Sequence, residues 1–357
     1  MTNLYAYFGS FGTDFTLDVP GHTFYQIGLL DSIRKTYGDH KKFSVYSYIS
    51  EKEPLTCSFP NDLHGNLMRD FSHENIEYLV QNIDDVIDDI KNRKFNKIFL
   101  KARFRNLSSL SKKLKDTSNF ERILETIISS GFPTDHVYII DTDLSLPQSF
   151  IDFSKKHGIH IVIPSIDFPG ISIEMAAHFI DLNFKEKFKE GANASSNVMF
   201  YGNIDSGNYK KGHEKSKILQ DVLDSTGSIK TLTGNSASLS IVAKITPEIQ
   251  SKFTGNTLIK RNERLLAWNE FISSNICLNV TKDKYNEIGF IPARLYEAII
   301  FGAIPVSYKF DWIEPGLSFE NVHEYSEILK FLMDLSPEDL GQLYRKVALK
   351  IAMTGNK

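Results

Sequence analysis

The chain has 357 residues, of which 41% are hydrophobic and 24% charged, and its formal net charge at pH 7 is −3. This length exceeds one ordinary hydrophobic core, so we expect two domains of ordinary globular composition. The slightly acidic balance argues against a protein that coats nucleic acid with a uniformly basic surface.

The two cysteines, Cys57 and Cys277, are too few for a disulfide framework, and they lack the spacing of metal ligands. Such sparing use of cysteine is typical of proteins in a reducing cytoplasm. No apolar run reaches the length of a membrane span, and Met1–Ser10 lacks the basic start of a signal peptide. We therefore expect a soluble, cytoplasmic, monomeric protein with no membrane partner.

Short apolar runs alternate with longer helical patterns in the first half of the chain. The predicted strands are Leu4–Phe8, Phe43–Tyr48, Lys97–Leu100, Val137–Asp141 and Ile159–Pro164. The predicted helices are Thr23–Tyr37, Ile76–Lys91, Phe120–Ser130, Gln148–His157 and Ile173–Glu190. Such alternation indicates a parallel sheet covered by helices, in which ligands bind at the carboxyl ends of the strands.

A second alternating set follows the small, polar segment Gly191–Asn197, which is a linker by composition. Its predicted strands are Val198–Gly202, Ile229–Leu232, Ile276–Val280 and Ile304–Tyr308. Its predicted helices are Glu214–Asp224, Lys260–Ser274, Ala293–Phe301, Val322–Met333 and a last helix from Ser336 to Met353, with a polar loop at Lys282–Glu287. The pattern predicts an α/β fold of two Rossmann-like domains whose parallel sheets face a central cleft.

The predicted helix Ala293–Phe301 carries the strongest binding pattern. Pro292 suits its first turn, Gly302 suits a left-handed stop, and Arg294 and Glu297 share one face near its N-terminus. A helix N-terminus attracts anions, a guanidinium matches phosphate oxygens, and a carboxylate accepts hydrogen bonds from ribose hydroxyls. The pattern therefore predicts a nucleoside diphosphate site. The alternative is that Arg294 and Glu297 pair with each other on a solvated face.

A glycine-rich turn offers a second set of anion contacts. Gly202–Gly212 connects a predicted strand to a predicted helix, its glycines permit close backbone approach, and Lys210, Lys211 and His213 supply donors. The alternative is a plain surface loop.

A basic segment, Lys91–Lys115, holds ten Lys or Arg residues and no acidic residue. Lys101, Arg103 and Arg105 lie at or beyond the carboxyl end of its predicted strand. They suit contacts with DNA phosphates, and the alternative is a solvated basic face.

Two motifs resemble those of the phage DNA β-glucosyltransferases, GT-B glycosyltransferases that transfer glucose to hydroxymethylcytosine. Lys282–Asp311, which contains the R-x-x-E helix, is similar to the family's donor-nucleotide region. Thr142–Pro147 matches the family's T-D-x-x-L-P motif, whose aspartate is the catalytic base. The resemblance implies that Asp143 is the base. From the residues alone, Asp141 or Asp143 could equally cap the following turn.

The residue patterns and the resemblance together give the expected binding residues. Those on the donor side are Gly202, Lys211, His213, Gly255, Asn286, Arg294 and Glu297, and those on the acceptor or DNA side are His22, Lys101, Arg103 and Arg105. This sequence departs from the family where lysines and a histidine replace arginines of a shorter turn, and where His22 replaces a glutamate. His22 is alternatively an ordinary helix-start histidine, and Gly255 a structural turn.

The resemblance further implies how the domains divide and what they do. Residues 1–190 would form the acceptor domain, completed by the last helix at 336–357, and residues 191–335 the UDP-sugar domain. The expected reaction transfers a sugar, glucose by resemblance, from UDP to a hydroxymethylated pyrimidine flipped out of duplex DNA, with inversion. A phage-encoded enzyme would act in the host cytoplasm.

Two rival functions stay open at this point. One is a GT-B enzyme with another hydroxyl acceptor, such as a lipid or polysaccharide. The other is a nucleotide-sugar-binding or DNA-binding protein without turnover. A divalent cation is not assigned, because the D-x-D letters of Asp141–Asp143 fall in the acceptor domain.

Overall fold

The structure, a computed structural model, describes residues 4–9, 20–37, 43–47, 59–79, 83–102, 116–141, 144, 146–165, 170–189, 197–202, 214–230, 232, 234–260, 263–280 and 283–353. Contacts divide the chain into two compact units. The N-terminal unit comprises Met1–Asp18 and Gln26–Phe168, and the C-terminal unit comprises Val19–Tyr25 and Pro169–Lys357.

The N-terminal unit is built on a parallel sheet. Its strands are β1 (Leu4–Gly9), β2 (Phe43–Ser47), β3 (Ile76–Leu79), β4 (Phe95–Ala102), β5 (Val137–Asp141) and β6 (His160–Val162). Its helices are α1 (Pro20–Thr36), which belongs to this unit from Gln26 onward, α2 (Leu63–Asn75), α3 (Ile83–Lys91), α4 (Asp116–Ser129) and α5 (Gln148–Lys156). The strand order is β3-β2-β1-β4-β5-β6, which places the topological switch point between β1 and β4.

Alternation along β4 and β5 separates the two faces of this sheet. Ile98 and Leu100 pack with Ile139 in an apolar core against α3 and α4. On the opposite face, Phe99 stacks on Tyr138 with ring centroids 4.9 Å apart. Buried β-branched and aromatic side chains on both faces explain why these segments form interior strands.

The C-terminal unit is built on a second parallel sheet. Its strands are β7 (Asn197–Tyr201), β8 (Ser238–Ala243), β9 (Thr257–Lys260), β10 (Ile276–Asn279), β11 (Ile304–Tyr308) and β12 (Ser318–Phe319). Its helices are α6 (Ile173–Glu186), α7 (Glu214–Thr226), α8 (Pro247–Lys252), α9 (Arg264–Ser273), α10 (Asp283–Glu287), α11 (Ala293–Ile300), α12 (Val322–Asp334) and α13 (Pro337–Met353).

The strand order β12-β11-β10-β7-β8-β9 repeats that of the first sheet when the strands are counted within their own unit. The switch point here lies between β7 and β10. Two sheets of this order confirm the predicted α/β fold of two Rossmann-like domains, the pair of domains from which the GT-B fold is built. Among the described helices, none is both long enough and apolar enough to cross a bilayer.

Several predicted elements are corrected. Ile76–Lys91 was predicted as one helix, but Ile76–Leu79 is the edge strand β3, paired with β2, and the helix α3 covers Ile83–Lys91. Its apolar spacing fits both structures, and pairing with a neighbouring strand decides between them. The predicted strand Ile229–Leu232 contributes an isolated bridge from Lys230 to Ser236 instead.

Two further predictions near the second switch point also change. The predicted helix from Lys260 begins at Arg264, because Lys260 ends strand β9. The predicted loop Lys282–Glu287 contains the short helix α10. The first change moves the start of a helix by one turn, and the second adds a helical turn ahead of α11.

The division between the units differs from the predicted boundary at residue 190. Helix α13 packs against α6, α11 and β11, so α6 and the last helix both belong to the C-terminal unit. The approach of α13 to α6 is close, since a Cβ placed on Gly341 would lie 2.9 Å from the Cβ of Phe188. The last helix thus packs against residues that were predicted to lie in the first domain, but it does so within the second unit.

Candidate functional site

The carboxyl ends of β7 and β10 meet at the switch point of the C-terminal sheet. Strand β7 ends at Tyr201 and is followed by Gly202, whose N–H continues the pairing by donating to the Val242 carbonyl at 3.1 Å. Strand β10 ends at Asn279 and is followed by Val280. Diverging connections leave a crevice at such a point, and ligands of open parallel sheets bind there.

Arg294 lies at this switch point. Its Nη1 donates to the Val280 carbonyl at 3.4 Å. A Cβ placed on Gly202 would lie 3.4 Å from Arg294 Nη2 and 3.1 Å from Phe200 Cζ. The guanidinium therefore reaches the ends of both strands, and a glycine at 202 permits its approach. Within the described part of the chain, the Val280 carbonyl takes one of the five N–H donors of Arg294, which leaves others for a ligand.

Helix α11 places Arg294 in its first turn. The residue before the helix, Pro292, supplies no side-chain cap, although its carbonyl accepts the Leu295 N–H at 2.9 Å. The N–H groups of Ala293 and Arg294 therefore keep their capacity for an anion. The partial positive charge of the helix end acts in the same direction as the guanidinium. Together they form a positive, donor-rich end of α11.

Glu297 lies one turn further along the same helix and is 1% exposed. It does not lie on a solvated face, so the alternative of a surface pair with Arg294 is not what the structure shows. Both side chains act on the buried thiol of Cys277 in β10. Burial raises the pKa of Cys277 to about 12, Arg294 opposes that rise and Glu297 adds to it. The ribose contact assigned to Glu297 stays a prediction.

The other predicted donor residues fall in different places. Lys211 and His213 lie outside the described residues. Gly255 has φ +99 and precedes β9, at the amino edge of the sheet, so the structure does not bring it to the edge that holds Arg294. The physical reason is that β8 and β9 are parallel, which puts the turn before β9 at the far edge. Asn286 lies in α10, and its carbonyl accepts a hydrogen bond from Trp312 Nε1 at 2.6 Å.

Exposed lysines accompany Arg294 at the carboxyl edge. Lys244 follows β8, Lys260 ends β9 and Lys309 follows β11. Because cations at neighbouring strand ends add their potentials, this edge of the sheet favours an anionic ligand.

The predicted catalytic segment begins at the carboxyl end of β5. The Leu146 N–H donates to Asp141 Oδ2 at 3.0 Å, and Asp141 is 3% exposed. Leu144 has φ +49, a left-handed conformation that non-glycine residues seldom adopt. Asp141 therefore caps the turn, which is the alternative considered for it. Asp143 lies outside the described residues.

The predicted DNA contacts continue from the strand next to β5. Strands β4 and β5 pair with Lys101 level with Ile140 and Ala102 level with Asp141. The segments that carry Arg103 and Arg105 on one side and Asp143 on the other thus leave the same edge of the sheet. Arg103, Arg105 and the Lys101 side chain lie outside what the structure describes.

His22 lies in the first turn of α1, and its side chain is likewise not described. Within the described ranges, no group of three or more His, Cys, Asp or Glu residues is placed to hold a metal ion.

Comparison with known proteins adds little. No family model and no curated protein matches the chain. A Listeria monocytogenes structure assigned as a UDP-N-acetylglucosamine 2-epimerase is 9% identical with a TM-score of 0.37, over 100% of this chain and 94% of that one. The wall teichoic acid polymerase TagF is 9% identical with a TM-score of 0.33, over 99% and 84%. Both TM-scores are too low to transfer anything to this chain.

Proposed function

We propose that the C-terminal unit binds the diphosphate of a UDP-sugar at Arg294 and the N-terminus of α11, and that the protein is a glycosyltransferase. The observation that carries this proposal is the position of Arg294, which reaches the ends of both β7 and β10 at the switch point. A nucleoside diphosphate suits this place because it is an anion. In addition, the N–H donors of a planar guanidinium match the spacing of its phosphate oxygens.

The chemistry follows from the charge of the leaving group. When the bond from the sugar to the diphosphate breaks, negative charge builds up on the departing UDP. A fixed guanidinium and a helix N-terminus stabilise that charge as it develops. Glu297, one turn along α11, is the group we propose for the ribose hydroxyls. UDP-glucose is the donor that the resemblance favours.

For the acceptor, we propose a hydroxymethylated pyrimidine in duplex DNA. Two features support it: the T-D-x-x-L-P resemblance, and the parallel pairing of β4 with β5, because the chain continues from their neighbouring carboxyl ends towards Arg103 and Arg105 and towards Asp143. Asp143 would take the hydroxyl proton as the hydroxyl attacks the anomeric carbon. The base would have to leave the stack to present that hydroxyl.

Calorimetry with UDP tests the donor site. Arg294→Ala should weaken UDP binding by about 1.5–3 kcal/mol, because a hydrogen-bonded charge loses its partner. Lys330→Ala, an exposed lysine of α12, is the matched control and should bind UDP as the wild type does. Equal affinity of wild type and Arg294→Ala would sink the donor assignment.

A transfer assay tests the acceptor. UDP-glucose should be consumed, with a sugar joined to DNA, only when the duplex carries hydroxymethylcytosine. Consumption with a lipid or polysaccharide hydroxyl instead would replace the acceptor but keep the donor site. UDP binding without turnover on any acceptor would leave a binding protein.

A further inference from the structure

The carboxyl end of α11 has side-chain partners for its last carbonyls, which a helix cannot satisfy by itself. Tyr344 Oη donates to the Ile299 carbonyl at 2.5 Å, and Asn183 Nδ2 donates to the Ile300 carbonyl at 3.0 Å. Lys187 Nζ donates to the Phe301 and Gly302 carbonyls at 2.6 and 3.2 Å. We call Asn183, Lys187 and Tyr344 the carbonyl clamp.

The clamp comes from helices that lie beside α11. Asn183 belongs to α6, Lys187 follows it directly, and Tyr344 belongs to α13. Asn183 and Tyr344 are fully buried, and Asn183 Nδ2 donates a hydrogen bond to Tyr344 Oη at 3.1 Å. These side chains were not singled out in the sequence, because polar residues on separate helices show their convergence only after folding.

Lys187 joins a second helix end to the clamp. Its Nζ also donates to the Ser274 carbonyl, at the end of α9, at 2.7 Å. The ammonium group thus lies where the partial negative charges of two helix ends meet, with an acceptor for each of its three donors. Burial lowers the pKa of Lys187 to about 7, and the three carbonyls oppose that effect by favouring the charged form. The residue as a whole keeps some exposed surface.

A shift of the backbone at one end of α11 should also move the other end. The helix has eight residues, so it spans only about 12 Å. Its N-terminus has no side-chain cap, whereas its carboxyl end is held by the clamp. The clamp therefore acts together with the buried side chains of α11, Leu295 and Tyr296 among them, in setting the direction in which Arg294 leaves the helix.

We propose that Lys187 is a positioning residue for the anion site, acting on Arg294 through α11. This inference rests on the proposed UDP site. Lys187 touches no ligand in this scheme. It fixes the helix end from which Arg294 reaches the ends of β7 and β10.

Calorimetry tests the proposal. Lys187→Met keeps the length of the side chain but removes its charge and donors, and UDP binding should weaken by about two- to thirtyfold. Lys185→Met, an exposed lysine of α6, is the matched control and should bind UDP unchanged. Measured at pH 6, below the pKa of about 7 for Lys187, the two variants lose nearly the same charge, so a long-range electrostatic effect would appear in both.

A double-mutant cycle separates positioning from general destabilisation. If Lys187 acts through Arg294, its replacement should cost little affinity once Arg294 is already alanine. Strict additivity of Lys187→Met and Arg294→Ala would overturn the proposal. Tyr344→Phe removes only a hydroxyl from the clamp and gives a second variant if Lys187→Met does not fold.

The thiol of Cys277 provides a readout that needs no ligand. It lies beneath α11 and is 1% exposed, so in a Cys57→Ser background its labelling rate reports how often α11 opens. Lys187→Met should raise that rate, and Lys185→Met should not.

The outcomes separate the two proposals. Wild type that binds no UDP would overturn both. Wild type that binds UDP while folded Lys187→Met binds it equally well would overturn positioning alone, and Tyr344→Phe takes its place in this comparison if Lys187→Met does not fold.

Discussion

Asp141 and Asp143 lie two residues apart in the sequence, but we expect them to have different roles. The Asp141 carboxylate is buried and accepts the Leu146 N–H, so it is occupied in holding the turn after β5. A carboxylate that is buried and engaged in a turn is poorly placed to contact an acceptor hydroxyl. Asp143 is left as the candidate base, on the strength of the T-D-x-x-L-P resemblance.

The pair yields a prediction with its own internal control. Asp143→Asn should lower turnover by at least about a hundredfold while UDP binding persists, because positioned bases contribute about 10²–10⁴-fold. Asp141→Asn should lose much less turnover but about 1 kcal/mol of stability, since an amide accepts the Leu146 N–H less well. Initial rates and thermal melts measure the two effects. Near-normal turnover of Asp143→Asn, or an α-linked product from an α-linked donor, would show that the base or the inverting mechanism is misassigned.

At this scale the sequence could name the candidates but not choose between their roles. Both aspartates fitted a turn cap equally well, and the hydrogen bond to Leu146 separates them only in the folded chain. The same holds for Arg294 and Glu297, whose i,i+3 spacing fitted a solvated pair until the burial of Glu297 was known. Spacing records which residues share a face, whereas burial depends on the strands beneath the helix.

Helix α11 ends where the backbone has little room. Gly302 has φ +67, and a Cβ placed there would lie 2.6 Å from the Cγ and Oδ1 atoms of Asn183. Asn183 cannot move aside without losing its hydrogen bond to the Ile300 carbonyl. The glycine is therefore required both by its conformation and by its neighbour.

Gly302→Ala should lower the free energy of unfolding by about 1–2 kcal/mol for the left-handed conformation and about 1–3 kcal/mol more for the clash. Gly234→Ala is the control, because Gly234 has φ +87 but nothing within 4 Å of an added Cβ. Denaturant titrations of both variants isolate the clash as the difference between them. Equal losses would mean that Asn183 yields freely and the clamp is loose.

Elements with strong patterns were predictable and short edge elements were not. Val137–Asp141 and Ile304–Tyr308 have the predicted bounds, because continuous apolar runs of strand length suit interior parallel strands. Strand β3 at the sheet edge was missed, since its four residues also fit a helix. Strand β8 was missed because Ser238 and Ser240 interrupt its apolar run.

On the scale of the whole molecule, the net charge of −3 hides a local excess of positive charge. If Lys101, Arg103 and Arg105 bind DNA phosphates, the variant with alanine at all three positions should bind duplex DNA that carries hydroxymethylcytosine more weakly than the wild type does. The slope of log affinity against log salt should also fall by about 0.9 for each lost contact, because fewer counterions are released. Titrations at several salt concentrations measure this slope.

The control for that titration replaces Lys185, Lys189 and Lys330, three exposed lysines of the C-terminal unit, with alanine. Net charge then changes equally, but the slope should stay that of the wild type. Identical slopes for all three proteins would reduce the basic segment to a solvated face. UDP affinity should be the same throughout.

The two-sheet architecture was predictable because alternating strands and helices leave few other arrangements. The unit boundary was not, because composition marks a linker near residue 190 while packing joins α6 to α13. Which residues meet at one edge of a sheet depends on strand order, and the spacing of apolar residues within each element does not determine that order. Gly255 lies at the amino edge for a different reason, because it precedes β9, which runs parallel to β8.

The repeated strand order has a consequence for modular engineering. Because each unit has its own switch point, one unit transferred to another protein as a cassette would carry one ligand site with it. A cassette cut at the polar segment near residue 190 would leave Asn183 and Lys187 behind and strip α11 of its anchor. A cassette that begins at Pro169 keeps α6 beside α11, and it needs Val19–Tyr25 as well, because that segment belongs to the same unit.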